Sequence, residues 1–133
     1  GLIAGTALSA HYFGDNCKVV GGEPFEVDDA YRSFHSGKIE TNYTTNTIAD
    51  GLKTILGDNT FPIIQKYVHD IIRVTEGEIV SAMRLIWERL KIIAEPSSAV
   101  ALAALIREKK NYEGKSIGLI ISGGNVDLNK LPF

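Results

Sequence analysis

The stretch that most constrains this chain is Lys115 to Asp127, Lys-Ser-Ile-Gly-Leu-Ile-Ile-Ser-Gly-Gly-Asn-Val-Asp. Leu119, Ile120 and Ile121 form an apolar run with no alternation, the pattern of a strand buried on both faces and therefore of a parallel sheet covered by helices. Ser122-Gly123-Gly124-Asn125 ends that run. In open α/β sheets ligands gather at the carboxyl ends of strands, where paired glycines allow close backbone approach and a hydroxyl and an amide supply hydrogen bonds. Taken by itself, Ser-Gly-Gly is explained as well by a polar turn.

The rest of the chain supports a layered α/β reading. Strands are predicted near Lys18–Gly21, Ile71–Val74 and Ile117–Ile121, with helices between them. The chain opens with a helix in which the small residues Ala4, Gly5, Ala7 and Ala10 suit tight packing on a sheet. A second helix is expected over Asp29–Ser36, a polar loop over Gly37–Thr47, a tight turn at Asp50-Gly51, and a helix over Asn59–His69 that tolerates Pro62 in its first turn. Thr75 and Glu78 make a capping box, after which Ile79, Met83, Ile86 and Leu90 share one face with Trp87 beside them. Pro96 fits the first turn of the next helix, whose Ala99–Ile106 segment is apolar all round and so expected to be buried.

Composition narrows the function. With 133 residues and 44% hydrophobic content the chain can bury one moderate core, so one domain or part of one is expected. Fourteen basic against sixteen acidic residues, with no basic stripe interleaved with aromatics, argue against nucleic acid as a partner. No apolar run approaches the roughly 20 residues that span a bilayer, and no secretory signal pattern precedes the first helix, so the cytoplasm is the expected compartment. The single cysteine, Cys17, is expected to be a small core residue. His11, His35 and His69 are scattered and suggest no zinc site.

Three features admit a site reading beside a structural one. Gly1 and Leu2 begin a helix whose free N–H groups suit a phosphate. Glu23, Glu26, Asp28 and Asp29 crowd one short loop, where the dipole of the following helix or a hard cation would each explain them; spacing alone favours the helix. Glu95 stands at the mouth of the buried helix, as a cap or toward a ligand.

Six motifs then fall in a recognisable order: Gly1-Leu2-Ile3-Ala4-Gly5, Gly22-Glu23-Pro24, Thr47-Ile48-Ala49-Asp50-Gly51, Val74-Thr75-Glu76, Glu95-Pro96-Ser97-Ser98 and Ser122-Gly123-Gly124-Asn125-Val126-Asp127. In that order they resemble the carboxyl-terminal half of the serine racemase and serine/threonine dehydratase family. These are pyridoxal 5'-phosphate (PLP) enzymes of the tryptophan-synthase-β-like fold. The closing motif and the acidic loop look more like serine racemase or the catabolic dehydratases than the large biosynthetic threonine deaminases.

The resemblance implies a three-layer, mostly parallel sheet with helices on both faces, residues 1–133 forming part of the large domain of a fold-type II PLP enzyme. It implies cofactor contacts at Gly1 and Leu2 (phosphate), Gly51 and Glu95 (near the pyridine ring), Ser122 (pyridine nitrogen), and Gly123 and Asn125 beside it. It implies Mg²⁺ or Ca²⁺ held by Glu23, the Val27 carbonyl and Asp29. The family's Schiff-base lysine and its substrate-carboxylate loop have no counterpart here, so no catalytic residue is assigned within the chain. The expectation is a portion of a cytoplasmic, homodimeric enzyme acting on small hydroxy amino acids, inactive by itself and completed by the family's amino-terminal half. The competing expectation is a non-catalytic α/β regulatory or assembly module that retains the scaffold.

Overall fold

Strands β1 (Val19–Pro24) and β2 (Val68–Val74) form a two-stranded parallel sheet in the computed structural model, which describes residues 1–133. Pairing runs from Val19 opposite Val68 to Pro24 opposite Val74, with an irregularity between Val19 and Val20. Parallel neighbours need a long crossover. Here it contains helix α2 (Asp29–Ser36), the polar loop, and helix α3 (Phe61–Tyr67). The helix expected to reach His69 stops two residues earlier, because Val68 is already extended and starts β2.

The layers can be read at two glycines. Successive strand residues face opposite sides of a sheet, and a Cβ on Gly21 would lie 2.7 Å from Ile3 Cδ1, whereas one on Gly22 would lie 2.9 Å from the Val100 carbonyl and 3.1 Å from Ala104 Cβ. On the first side helix α1 (Leu2–Phe13) and α3 enclose Ala4, Ala7, Ile64, Val68 and Ile71. On the other, helices α4 (Glu76–Leu85) and α5 (Pro96–Arg107) build the larger core around Ile72, Val74, Ile79, Met83 and Val100. Helices therefore cover both faces of a parallel sheet, as the sequence predicts. Of the small residues of α1, Ala4 and Ala7 are buried and Gly5 is exposed.

Helix α4 begins with the predicted capping box: the Glu78 N–H donates to Thr75 Oγ1 and the Thr75 N–H donates to Glu78 Oε2 at 2.7 Å. Its apolar face ends earlier than expected. From Ile86 to Leu90 the chain widens into a π turn, which shifts the phase of the side chains, and Leu90 is 58% exposed. Trp87 stays half-buried and donates its ring N–H to the Ala94 carbonyl at 2.8 Å. In α5, Ala99, Val100, Ala103 and Ala104 are buried, but Ile106 is exposed, so the helix is not enclosed all round.

Two further expectations are corrected. The run Ile117–Ile121 forms no strand: no segment of the chain supplies it with a ladder of hydrogen bonds, and Ile117 and Ile120 are exposed, with Ile121 alone packed on the α4–α5 core. An apolar run becomes a strand only where a neighbour pairs with it. Cys17 is exposed, because it lies in the connection between α1 and β1 rather than inside the strand. No helix is long and apolar enough to cross a membrane.

Candidate functional site at the Ser122–Asn125 loop and the acidic turn

The start of α5 gathers residues that are far apart in sequence. Glu95 occupies the N-cap position but does not cap with its side chain. Its carboxylate turns aside and accepts the Asn125 N–H at 2.9 Å, while its own N–H donates to the Gly123 carbonyl at 3.0 Å. Ser98, buried in the first turn, accepts the Gly123 N–H at 2.7 Å and donates to the Gly123 carbonyl at 2.9 Å. Ser97 accepts the Gly51 N–H at 3.0 Å. Ser97 and Ser98 thus bring Gly51 and Gly123 to the start of α5, and Glu95 brings Asn125 beside them.

Gly123 lets the Glu95 carboxylate lie against the loop, since a Cβ there would come within 2.6 Å of the Glu95 carboxyl carbon and push that side chain aside. Ser122 is exposed, and none of the bonds that fasten the loop uses its hydroxyl. That hydroxyl is free to meet a ligand.

The acidic turn is built differently. Glu23, at the carboxyl end of β1, points its carboxylate at the start of α2 and accepts the Ala30 and Tyr31 N–H groups at 3.1 and 2.8 Å, capping that helix from outside. Asp29 is buried and accepts Asn42 Nδ2 at 3.0 Å and the Leu56 N–H at 3.2 Å. Burial pushes the Glu23 carboxyl up to about 8 against the pull of the Tyr31 N–H, and the neighbouring Asp29 charge adds to the rise. Burial likewise raises Asp29, although the Asn42 and Leu56 donors oppose it. The Val27 residue between them is fully buried.

Gly1 and Leu2 belong to a third element. They begin α1, whose Ile3 covers Gly21 on the sheet face opposite α5, and no hydrogen bond joins them to the Ser122 loop.

Comparison with known proteins decides the family. The profile of the pyridoxal-phosphate dependent enzymes matches residues 1–123. The serine racemase of Dictyostelium discoideum is 50% identical over 98% of this chain and 42% of its own length. Its crystal structure superposes with a TM-score of 0.87, over 96% of this chain and 41% of that one. The β-hydroxyaspartate dehydratase of Paracoccus denitrificans is 44% identical over 100% of this chain and 42% of its own. The processed form of threonine deaminase isoform 2 from Solanum lycopersicum superposes with a TM-score of 0.89 at 30% identity, over 98% of this chain and 37% of that one. This chain belongs to the family of pyridoxal-phosphate dependent enzymes. It spans about two-fifths of the length of the relatives it matches.

Two observations bear on the groups the sequence suggested. The Ser122 hydroxyl, exposed on a loop fastened from behind, suits a ring nitrogen. Two carboxylates buried near one another, both raised toward their protonated forms, suit a hard cation that would offset their charge. No three His, Cys, Asp or Glu side chains are arranged to hold a metal ion between them, so a cation in the acidic turn would rely on a backbone carbonyl as well as on carboxylates. Sequence reading missed the roles of Ser97 and Ser98. Two hydroxyls in the first turn of an otherwise apolar helix were the available signal.

Proposed function

We propose that this chain supplies one wall of the cofactor site in a PLP-dependent dehydratase or racemase of small hydroxy amino acids, serine and threonine foremost. The observation that carries the reading is the Ser122–Asn125 loop, held by Ser98 and Glu95 with the Ser122 hydroxyl left unengaged. The names of the racemase and dehydratase relatives support the substrate class. PLP, when bound, supplies an electron sink for the bond broken at the substrate α-carbon.

The chain's own residues bind and orient. Ser122 donates a hydrogen bond to the pyridine nitrogen, and a neutral hydroxyl leaves that nitrogen unprotonated, whereas a carboxylate would favour its protonated form. Gly51 and the Glu95 carboxylate lie beside the ring, with Gly123 and Asn125 completing the loop. Gly1 and Leu2 offer the free N–H groups and positive end of α1 to the phosphate. Glu23, the Val27 carbonyl and Asp29 hold Mg²⁺ or Ca²⁺, which steadies the turn leading into α2. None of this chain's lysines lies in the family's lysine motif, so the covalent anchor and the base that moves the α-proton come from a segment outside these 133 residues. In this reading residues 1–133 are part of the large domain of a cytoplasmic homodimer.

The test is an assay with PLP and L-serine, L-threonine or 3-hydroxyaspartate, run on the 133-residue chain and on the protein encoded by its complete reading frame. Keto acid and ammonia, or the D-amino acid, are expected from the complete protein only. A complete protein that binds PLP yet turns over none of these, or one that takes up no PLP, overturns the reading.

A further inference from the structure

Of the carboxylates in the acidic turn, Asp28 is held unlike its neighbours. Its Oδ1 accepts Arg32 Nε at 2.7 Å and its Oδ2 accepts Arg73 Nη1 at 2.9 Å. Arg32 lies one turn further along α2, so that bond is local. Arg73 comes from β2, 45 residues away, where its register partner is Glu23 itself. The Arg73 guanidinium carbon also lies over two aromatic rings, 3.9 Å from the centre of Tyr31 and 4.8 Å from that of Phe25. A planar guanidinium can pair and stack at once, which an ammonium group cannot. One side chain therefore ties the strand position opposite Glu23 to the turn that carries Val27 and Asp29.

We propose that Arg73 is a positioning residue for the cation site. By gripping Asp28 it holds in place the residues on either side, Val27 and Asp29, whose carbonyl and carboxylate are ligands in this account, and it offsets the charge of Asp28. This inference rests on the reading of Glu23, Val27 and Asp29 as cation ligands. The plain alternative, a half-exposed ion pair of small energetic consequence, makes the opposite prediction. A positive charge near a cation site repels the cation, so by charge alone Arg73→Met tightens binding and Arg73→Lys leaves it unchanged. If Arg73 positions the ligands, both variants weaken binding.

The experiment is calorimetric titration of CaCl₂ into the unaltered protein, Arg73→Met and Arg73→Lys, with thermal melts of each in the absence of divalent cation. Arg73→Met is expected to raise the Kd for Ca²⁺ about tenfold, the lower end of what disturbing the residues that orient a metal's ligands costs. Arg73→Lys should raise it in the same direction, and it carries the comparison if Arg73→Met does not fold. Unchanged or tighter Ca²⁺ binding in the variants overturns the role of Arg73, as does a fall in the melting temperature with no change in Kd. An unaltered protein that binds no Ca²⁺ overturns the cation site and this role with it, a result distinct from the former.

Discussion

Ser98 and Gly123 are joined by two hydrogen bonds through a single hydroxyl, which accepts the glycine N–H at 2.7 Å and donates to the same glycine's carbonyl at 2.9 Å. The pair links the first turn of α5 to the loop that offers Ser122, so the loop's position depends on the helix. Replacing Ser98 with alanine leaves the half-buried Gly123 N–H without a partner, while the Gly123 carbonyl keeps the Glu95 N–H, at a cost of about 1–3 kcal/mol. Ser98→Ala is expected to lower the urea midpoint and to speed amide exchange at Gly123 and Asn125, while exchange in β2 is unchanged. Equal exchange at Gly123 in both proteins would mean that Glu95 alone fastens the loop.

A second prediction separates the two glycines of β1. A Cβ on Gly22 meets the Val100 backbone carbonyl at 2.9 Å and Ala104 Cβ at 3.1 Å, atoms fixed by the helix. A Cβ on Gly21 crowds the terminal methyl of Ile3 at 2.7 Å, which can rotate away, and touches Ile71 at an ordinary 3.6 Å. Gly22→Ala should cost about 1–3 kcal/mol by overpacking, and Gly21→Ala clearly less. Equilibrium denaturation of the two variants checks the order, and the reverse order would refute this account of the layers.

How legible these features were depended on sequence distance. The capping box of Thr75 and Glu78 spans three residues and is written out locally, so it was read correctly. The limits of α4 were not, because the π turn at Ile86–Leu90 breaks a periodicity that looks continuous. The Ile117–Ile121 run has strand composition, yet pairing is a property of its neighbours and could not be read from the run itself. The Ser98–Gly123 link spans 25 residues and leaves no pattern. The acidic turn lay between these extremes: its spacing fitted helix capping, and Glu23 does cap α2, while its reading as a cation site came only from resemblance to a family.

The third prediction concerns acid. Burial works against the Glu78 charge, but hydrogen bonds from the Thr75 N–H and hydroxyl and from Arg107 outweigh it and hold the carboxyl below its ordinary range. A carboxyl depressed in the folded state adds stability that is present above its unfolded pKa, about 4.3, and is lost as pH falls through the lower folded value. Glu78→Gln keeps a capping group but not the charge facing Arg107. The stability gap between the unaltered protein and this variant should narrow as pH falls from about 6 to about 3. A gap independent of pH would show that the ion pair contributes nothing.

The last prediction tests the buried carboxylates as a cation site. Glu23 and Asp29 are both almost wholly enclosed, and each already accepts two hydrogen bonds from the surrounding chain, which orients their remaining lone pairs. A cation that binds the folded state alone stabilises it by about 2.7 kcal/mol at about a hundredfold excess over its Kd. Ca²⁺ or Mg²⁺ is therefore expected to raise the melting temperature of the unaltered protein in a concentration-dependent way. Asp29→Asn keeps the size of the side chain and one acceptor oxygen but removes a charge from the ligand set, and it should abolish most of that shift. Comparison with Asp28→Asn sharpens the test, since Asp28 is engaged by Arg32 and Arg73 and is not a ligand in this account. Its variant should retain a larger part of the shift than Asp29→Asn does. Equal shifts in all three proteins would leave Glu23 as a helix cap and nothing more.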